Sequence, residues 1–271
     1  MALLDLHPDG LRAAEEAAGA ERQATEANAG AAATEDTDQG ATAARARIPL
    51  FRRPWVDRWL TRTWPPLVFV AYAGVLVALL GPPLSTLLRL TCSDADGDAA
   101  AAPWHFAAGT GLLLGGVLAW TLVEYALHRF GLHLPTSSRT WRVAYFLVHG
   151  HHHHAPRDAA RTVATPWQSG SLLTLLGALA WSTLGRTLGP TAARVWLAGA
   201  VLGYLAYEAL HLAAHHTRPR SRLVRALLRH HLAHHAEPSA RYGISSPLWD
   251  AVFGTLTPRR ARPRPNARGA R

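Results

Sequence analysis

The chain has 271 residues, with 28 arginines, no lysine and 18 acids, so it carries +10 with its histidines neutral. A content of 49% hydrophobic and 17% charged residues excludes a wholly disordered chain. The single cysteine excludes a disulfide framework and a thiolate zinc site, which leaves sixteen histidines as the anomaly and imidazole as the only plausible metal ligand in quantity.

Residues 1–40 hold nine of the acids and two arginines. They are rich in Ala, Glu, Thr and Gly and poor in large apolar residues, so residues 1–44 read as a disordered acidic tail. No basic stretch followed by an apolar core marks a secretory leader there. Residues 45–258 then read as one membrane domain, and residues 259–271 as a basic tail with no acid.

Four apolar stretches approach the roughly 20 residues that a spanning helix needs. They run from about Pro65 to Leu88, Phe106 to Leu127, Thr162 to Gly185 and Ala192 to Leu212. The Pro82-Pro83 pair predicts a kink or an end in the first. Glu124 lies inside the second, and Glu208 and His211 lie near the end of the fourth. The expected fold is therefore all-α, an integral membrane protein on a four-helix transmembrane scaffold.

Arginine sets the expected orientation. Six arginines between Arg45 and Arg62 precede the first stretch, Arg129, Arg139, Arg142, Arg157 and Arg161 follow the second, and Arg218 to Arg241 follow the fourth. With four spans these lie on one side, and the positive-inside rule makes it cytoplasmic, with both termini. The opposite loop carries Asp94, Asp96 and Asp98. Nucleic acid is not an expected partner, because the basic segments bracket the spans and lack interleaved aromatics.

Fourteen of the histidines fall into four clusters, all on the cytoplasmic side of that topology. They contain His128 and His133; His149, His152 and His153; His211 and His215; and His231, His234 and His235. Positions i, i+3 and i+4 share a helix face, so each triplet projects together and His211 pairs with His215. His151 and His154 point off that face. His230 competes with His231 on periodicity alone. The five-residue step from His128 to His133 turns about 500° on an α-helix, roughly 140° out of line, so those two meet only if the helix unwinds near Gly131. Ten imidazoles exceed what one ion takes and divide over two, about five each, with positions left for dioxygen. The competing reading is a histidine-rich membrane metal carrier, but such tracts are usually low-complexity and loop-borne.

The set HxxxxH, HxxHH, HxxxH and HxxHH on a four-span scaffold resembles the fatty acid hydroxylase and sterol desaturase superfamily. EYALHRF at 124–130, HGHHHHAPRD at 149–158 and YGISSPLWDAVFGTLTP at 242–258 are most similar to fatty acid 2-hydroxylases. The resemblance implies a cytoplasmic helical cap holding a dimetal site. It also implies an oxygen-dependent, non-haem di-iron hydroxylase of lipid acyl chains, with carotenoid or sterol hydroxylation or desaturation as the alternative chemistry. Its ligands would be His128, His133, His149, His152, His153, His211, His215, His231, His234 and His235. The cofactors would be two iron ions, in positions where family members can be isolated with zinc. Relatives carry a cytochrome b5 domain as electron donor, and the acidic tail offers no such pattern, so a separate ferredoxin- or cytochrome b5-like carrier is implied. Glu124 is i−4 to His128 and Glu208 is i−3 to His211. These two, with Asp158 and Asp250, are the expected carboxylate partners that orient imidazoles or balance charge.

Overall fold

The computed structural model describes residues 6–16, 49–92, 102–133 and 138–257. Among them the structure is helical, with one isolated antiparallel bridge between Leu6 and Phe51. In chain order the helices are α1 (residues 8–16), α2 (Pro54–Thr61), α3 (Pro65–Cys92), α4 (Ala102–Ala126), α5 (Arg139–Tyr145), α6 (His151–His154), α7 (Pro166–Ala180), α8 (Pro190–His216), α9 (Arg222–Ala236) and α10 (Leu248–Phe253). Three π-helical turns interrupt the series: Leu127–Leu132 after α4, Phe146–Gly150 after α5 and Trp181–Gly185 after α7.

Among the described residues, three helices are long and apolar enough to cross a membrane: Pro65–Ser85, Phe106–Leu132 and Pro190–His216. Their outward faces are apolar, as a lipid environment requires, with Val70, Val77, Phe106 and Leu114 exposed. The protein is a membrane protein. The third stretch of the four differs in form: it is a 15-residue α-helix, α7, run on by the π turn Trp181–Gly185. It starts where the sequence signals a start, at Pro166 behind Thr165, whose backbone N–H donates to Gln168 Oε1 at 2.8 Å. The Pro82-Pro83 pair does not end α3, which continues to Cys92. The acidic loop at Asp94, Asp96 and Asp98 and the tail at 259–271 lie outside the described residues.

The membrane core forms where α3, α4, α7 and α8 meet. Tyr72, Trp120, Leu173, Leu176, Val201 and Tyr204 are buried together there. α4 and α8 approach closely because two glycines face each other: a Cβ at Gly116 would overlap the Trp196 carbonyl, and one at Gly199 would overlap the Leu113 carbonyl. This fixes the relative position of the two helices that end in His128 and in His211 and His215.

The N-terminal expectation fails for residues 6–16, which fold back onto the domain. Leu6, Ala13 and Ala14 are buried with Leu50, Phe51, Val143 and Phe146. The few apolar side chains of LHPDGLRAA, residues 6–14, suffice because they meet a ready surface that includes α5 instead of having to build one. The rest of the tail lies outside the described residues.

Candidate metal centre

The structure brings all ten candidate imidazoles together in two adjacent groups. The first holds His128, His133, His149, His153 and His234; the second holds His152, His211, His215, His231 and His235. Within each group one ring nitrogen per residue lies within 4.8 Å of all the others. Nε2 atoms of neighbouring rings stand 3.1 Å apart for His128 and His149, 3.0 Å for His149 and His153, 3.1 Å for His133 and His234, 2.7 Å for His152 and His211 and 3.0 Å for His215 and His231. Imidazole nitrogens about 2.1 Å from one ion would be roughly 3.0 Å apart at right angles and roughly 3.4 Å apart in a tetrahedron. The observed spacings suit a centre of more than four ligands.

Local structure explains how the spacing works. The chain from α4 leaves the α-helix for a π turn, in which the His133 N–H donates to the His128 carbonyl at 3.0 Å, an i+5 to i bond. A π turn has about 4.4 residues, so five residues sweep roughly 410° and the two rings end roughly 50° apart. Their Nε2 atoms stand 3.2 Å apart. The expected unwinding near Gly131 is this π turn.

The two HxxHH triplets do not each serve one group. In both, positions i and i+4 enter one group and position i+3 enters the other: His149 and His153 with His152 apart, His231 and His235 with His234 apart. The i+3 and i+4 side chains flank i by about 60° and 40° on opposite sides, and at the length of an imidazole this separates their tips. Each group therefore takes a pair from the end of a span, an i, i+4 pair from one triplet and a single ring from the other triplet.

His231 is fully buried and faces the second group, whereas Nε2 of His230 lies 3.0 Å from Asp250 Oδ2. Geometry thus separates two positions that periodicity left equivalent. His151 points away from both groups, where its Nε2 accepts from Arg161 at 2.8 Å.

None of the four expected carboxylates contacts one of the ten imidazoles. Glu124 accepts from the backbone N–H groups of Ile244 and Ser245 and from the Ser245 hydroxyl. Glu208 accepts from the Ala164 N–H at 2.9 Å. Asp158 caps the turn at Ala159–Arg161 and pairs with Arg62. Asp250 accepts from the N–H groups of Tyr242 and Gly243, from the Thr255 hydroxyl at 2.6 Å and from His230. For Glu124 and Glu208, which helical spacing placed, a segment distant in sequence reaches the carboxylate, whereas Asp158 and Asp250 are held mainly by residues near them in the chain.

Two of the rings have backbone carbonyls as direct partners, which the sequence reading missed. His128 Nδ1 lies 2.5 Å from Tyr242 O, and His234 Nδ1 lies 2.7 Å from Ala240 O. A carbonyl only accepts, so each Nδ1 carries the proton and each Nε2 presents a lone pair inward. Glu124 and Asp250 hold the loop that supplies those carbonyls, and Gly243 is required in it because a Cβ there would overlap the Ser246 carbonyl.

The charge state fits a cation. Burial first, then the neighbouring imidazoles, hold His133, His149, His152, His153, His231, His234 and His235 well below the ordinary histidine value, so these rings are neutral. Nε2 of His133 touches Nε2 of both His128 and His234, and one proton cannot satisfy two lone pairs. Converging lone pairs of this kind are stabilised by a metal ion, and the donor set of neutral imidazoles suits iron, copper, zinc or nickel.

A cavity of about 430 Å³ adjoins both groups. Its wall includes His128 and His149 of the first and His152 and His211 of the second. It continues along α7 past Trp167, Leu172 and Leu175. Trp167 and Leu175 are also exposed on the outside, so the cavity opens laterally on the apolar surface.

A polytopic helical scaffold with two linked polyimidazole groups beside an apolar cavity defines a membrane metalloprotein. The family model for fatty acid hydroxylases matches residues 113–255, and the chain belongs to the fatty acid hydroxylase family. It is 42% identical over 142 residues to a dihydroceramide fatty acyl 2-hydroxylase of Arabidopsis thaliana, covering 52% of this chain and 58% of that one. It is 36% identical over 158 residues to the fatty acid 2-hydroxylase of Rattus norvegicus, covering 57% and 41%. A ceramide very long chain fatty acid hydroxylase of Schizosaccharomyces pombe is 31% identical over 215 residues, covering 78% of this chain and 53% of that one. The chain thus spans about half the length of the curated relatives it matches. The visible hydroxylase domain of full-length scs7p superposes with a TM-score of 0.61 at 27% identity, over 84% of this chain and 82% of that domain.

Proposed function

We propose that this chain is an oxygen-dependent hydroxylase of lipid acyl chains that holds two iron ions and oxidises the carbon next to the acyl carbonyl. The supporting observation is the pair of five-imidazole groups, both opening on one cavity that reaches the apolar surface. His128, His133, His149, His153 and His234 would hold one ion, and His152, His211, His215, His231 and His235 the other. Two ferrous ions with dioxygen supply an oxidant strong enough for an unactivated C–H bond, which no side chain provides.

The remaining work belongs to the protein. The apolar wall at Leu172 and Leu175 takes the acyl chain out of lipid and excludes water. The polar wall at Thr162, Thr165 and Gln168 suits the head end and leaves the carbon beside it nearest the imidazoles. The Ala240 and Tyr242 carbonyls fix ring tautomers. The relatives named fatty acyl 2-hydroxylase and fatty acid 2-hydroxylase support the same position of attack.

We further read four spans, with the stretch at α7 and its π turn as the fourth and with both termini and the metal centre cytoplasmic in a cell membrane. The electrons come from a separate carrier. The test is lipid analysis of cells with and without the gene under labelled dioxygen, alongside metal analysis of protein purified anaerobically. Labelled 2-hydroxy acyl species and about two irons per chain are expected. Unchanged acyl lipids with altered metal uptake would establish a metal carrier instead.

A further inference from the structure

Hydroxylation by dioxygen consumes two electrons and two protons for each C–H bond converted to C–OH, with the second oxygen leaving as water. The electrons must cross the protein surface somewhere near the imidazole groups. This inference rests on the hydroxylase reading and asks where on the surface that is.

α9 answers by its two faces. Its inner face carries Leu228, His231 and His234, all buried. It supplies His231 and His235 to one group and His234 to the other, and so lies against both. Its outer face presents Arg222, Arg225 and Arg229, all exposed, at helical spacing. Arg218 and Arg220, also exposed, extend this face toward the end of α8. Arg157 is exposed as well and stands within electrostatic reach of His215 and His216.

No acid occurs between Glu208 and Glu237. Among the described residues, no carboxylate pairs with Arg218, Arg220, Arg222 or Arg229, so their charge is uncompensated. Arg225 differs, because it donates to the carbonyls of Pro219 and Arg220 and holds the turn into the helix. One helix, about 10–12 Å across, separates this charge from both groups.

We propose that the outer face of α9, with Arg157, Arg218 and Arg220, is the docking surface for an acidic one-electron carrier protein. Charge complementarity selects the occupant. Opposite charges steer fast, weak encounters of small area, which suits a carrier that must arrive and leave twice per turnover. A membrane surface is the other possible occupant of a basic helix, but helices that lie in a bilayer interface present a stripe of Trp, Phe and Leu beside the basic residues, and α9 exposes only Leu223 and Leu232 of these types. The face has no aromatic residue other than histidine between Tyr207 and Tyr242. The exposed tryptophans are elsewhere: Trp55, Trp59 and Trp64 around α2, Trp141 on α5, and Trp167 and Trp181 at either end of α7.

The test uses the full chain in nanodiscs of neutral phosphatidylcholine. Two soluble acidic probes, a [2Fe–2S] ferredoxin and the haem domain of a cytochrome b5, are titrated at about 0.01 M and about 0.15 M ionic strength. At least one probe is expected to bind, at least tenfold more weakly at the higher salt. Charge reversal of Arg218, Arg222 and Arg229 to Glu is expected to weaken binding at low salt by at least tenfold more, with bound metal and melting temperature unchanged. Absence of binding by both probes, or a triple variant that binds like the parent, overturns the proposal. So does a triple variant that loses capture by anionic phosphatidylserine vesicles yet keeps carrier binding, since the face then belongs to the membrane. Turnover with a small-molecule reductant checks the functional reading separately. Carrier binding lost on charge reversal supports the docking surface even if no acyl product forms, and the missing product then counts against the hydroxylase reading alone.

Discussion

At the level of single residues, the centre is ordered by which nitrogen of each ring carries the proton. His128 and His234 have that choice made for them by the Tyr242 and Ala240 carbonyls. Asp250 acts one step further out, through the loop that bears those carbonyls. Burial alone would raise its pKa, but hydrogen bonds from His230, Thr255, Gly243 and Tyr242 outweigh burial and hold it below the ordinary value. Its folded pKa being depressed, the stability it contributes is present above the ordinary aspartate range and is lost as pH falls through the folded value. Asp250→Asn should leave a buried N–H facing an amide N–H, which costs about 1–3 kcal/mol. It should also weaken metal retention about 10–100-fold through misplaced carbonyls. Thermal melting at neutral and acid pH, with chelator competition, checks both, and the stability gap between parent and variant should narrow toward acid. His231→Ala should lose at least one metal per chain, whereas His230→Gln should keep both and lose about 1 kcal/mol of stability. Elemental analysis separates the two. Spacing identified most of the residues that converge, because helical periodicity reports which side chains share a face, but it left His230 and His231 equivalent and set His128 out of line with His133. It did not disclose what Glu124, Glu208, Asp158 and Asp250 touch, because a face is not a partner. What these carboxylates touch depends on segments such as 240–246 that pack over them from more than a hundred positions away or from another turn.

At the level of elements, the π turns do the fine placement. Leu127–Leu132 makes up for the roughly 140° that an α-helix would put between His128 and His133. Inserting one alanine after Gly131 should lengthen the step from His128 to His133 to six residues, about 600° on an α-helix, and turn the two rings about 120° apart. Helical content by circular dichroism should not change, whereas metal bound to the first group should fall below half occupancy. A π turn has no sequence signature comparable to a proline or a cap, so only the awkward five-residue spacing betrayed it. The long apolar helices α3, α4 and α8 were readable by length and hydrophobicity, which local composition determines. α7 was harder, because its Ser-, Thr- and Gly-rich apolar run gives no sign of where α geometry yields to π. Residues 6–16 escaped notice for a different reason. Their order derives from the surface formed by Leu50, Phe51, Val143 and Phe146, and a stretch of sequence cannot disclose the surface it will meet.

At the level of the whole molecule, the chain uses one plan twice. A membrane helix ends in a histidine pair, and a segment with HxxHH follows: α4 with the π turn Phe146–Gly150 and α6, then α8 with α9. The glycine contact between Gly116 and Gly199 joins the two copies inside the membrane, and the exchange of His152 and His234 joins them at the centre. This exchange means that neither nest is self-contained. With an ion in each, stripping one would loosen a helix that also serves the other, so the vacancies would be coupled like the two knots of a single lashing. Titration with a chelator should then empty the protein in one steep transition from about two metals to none, with scarcely any singly loaded species in native mass spectra. A broad population holding one ion would mean that the two nests are independent.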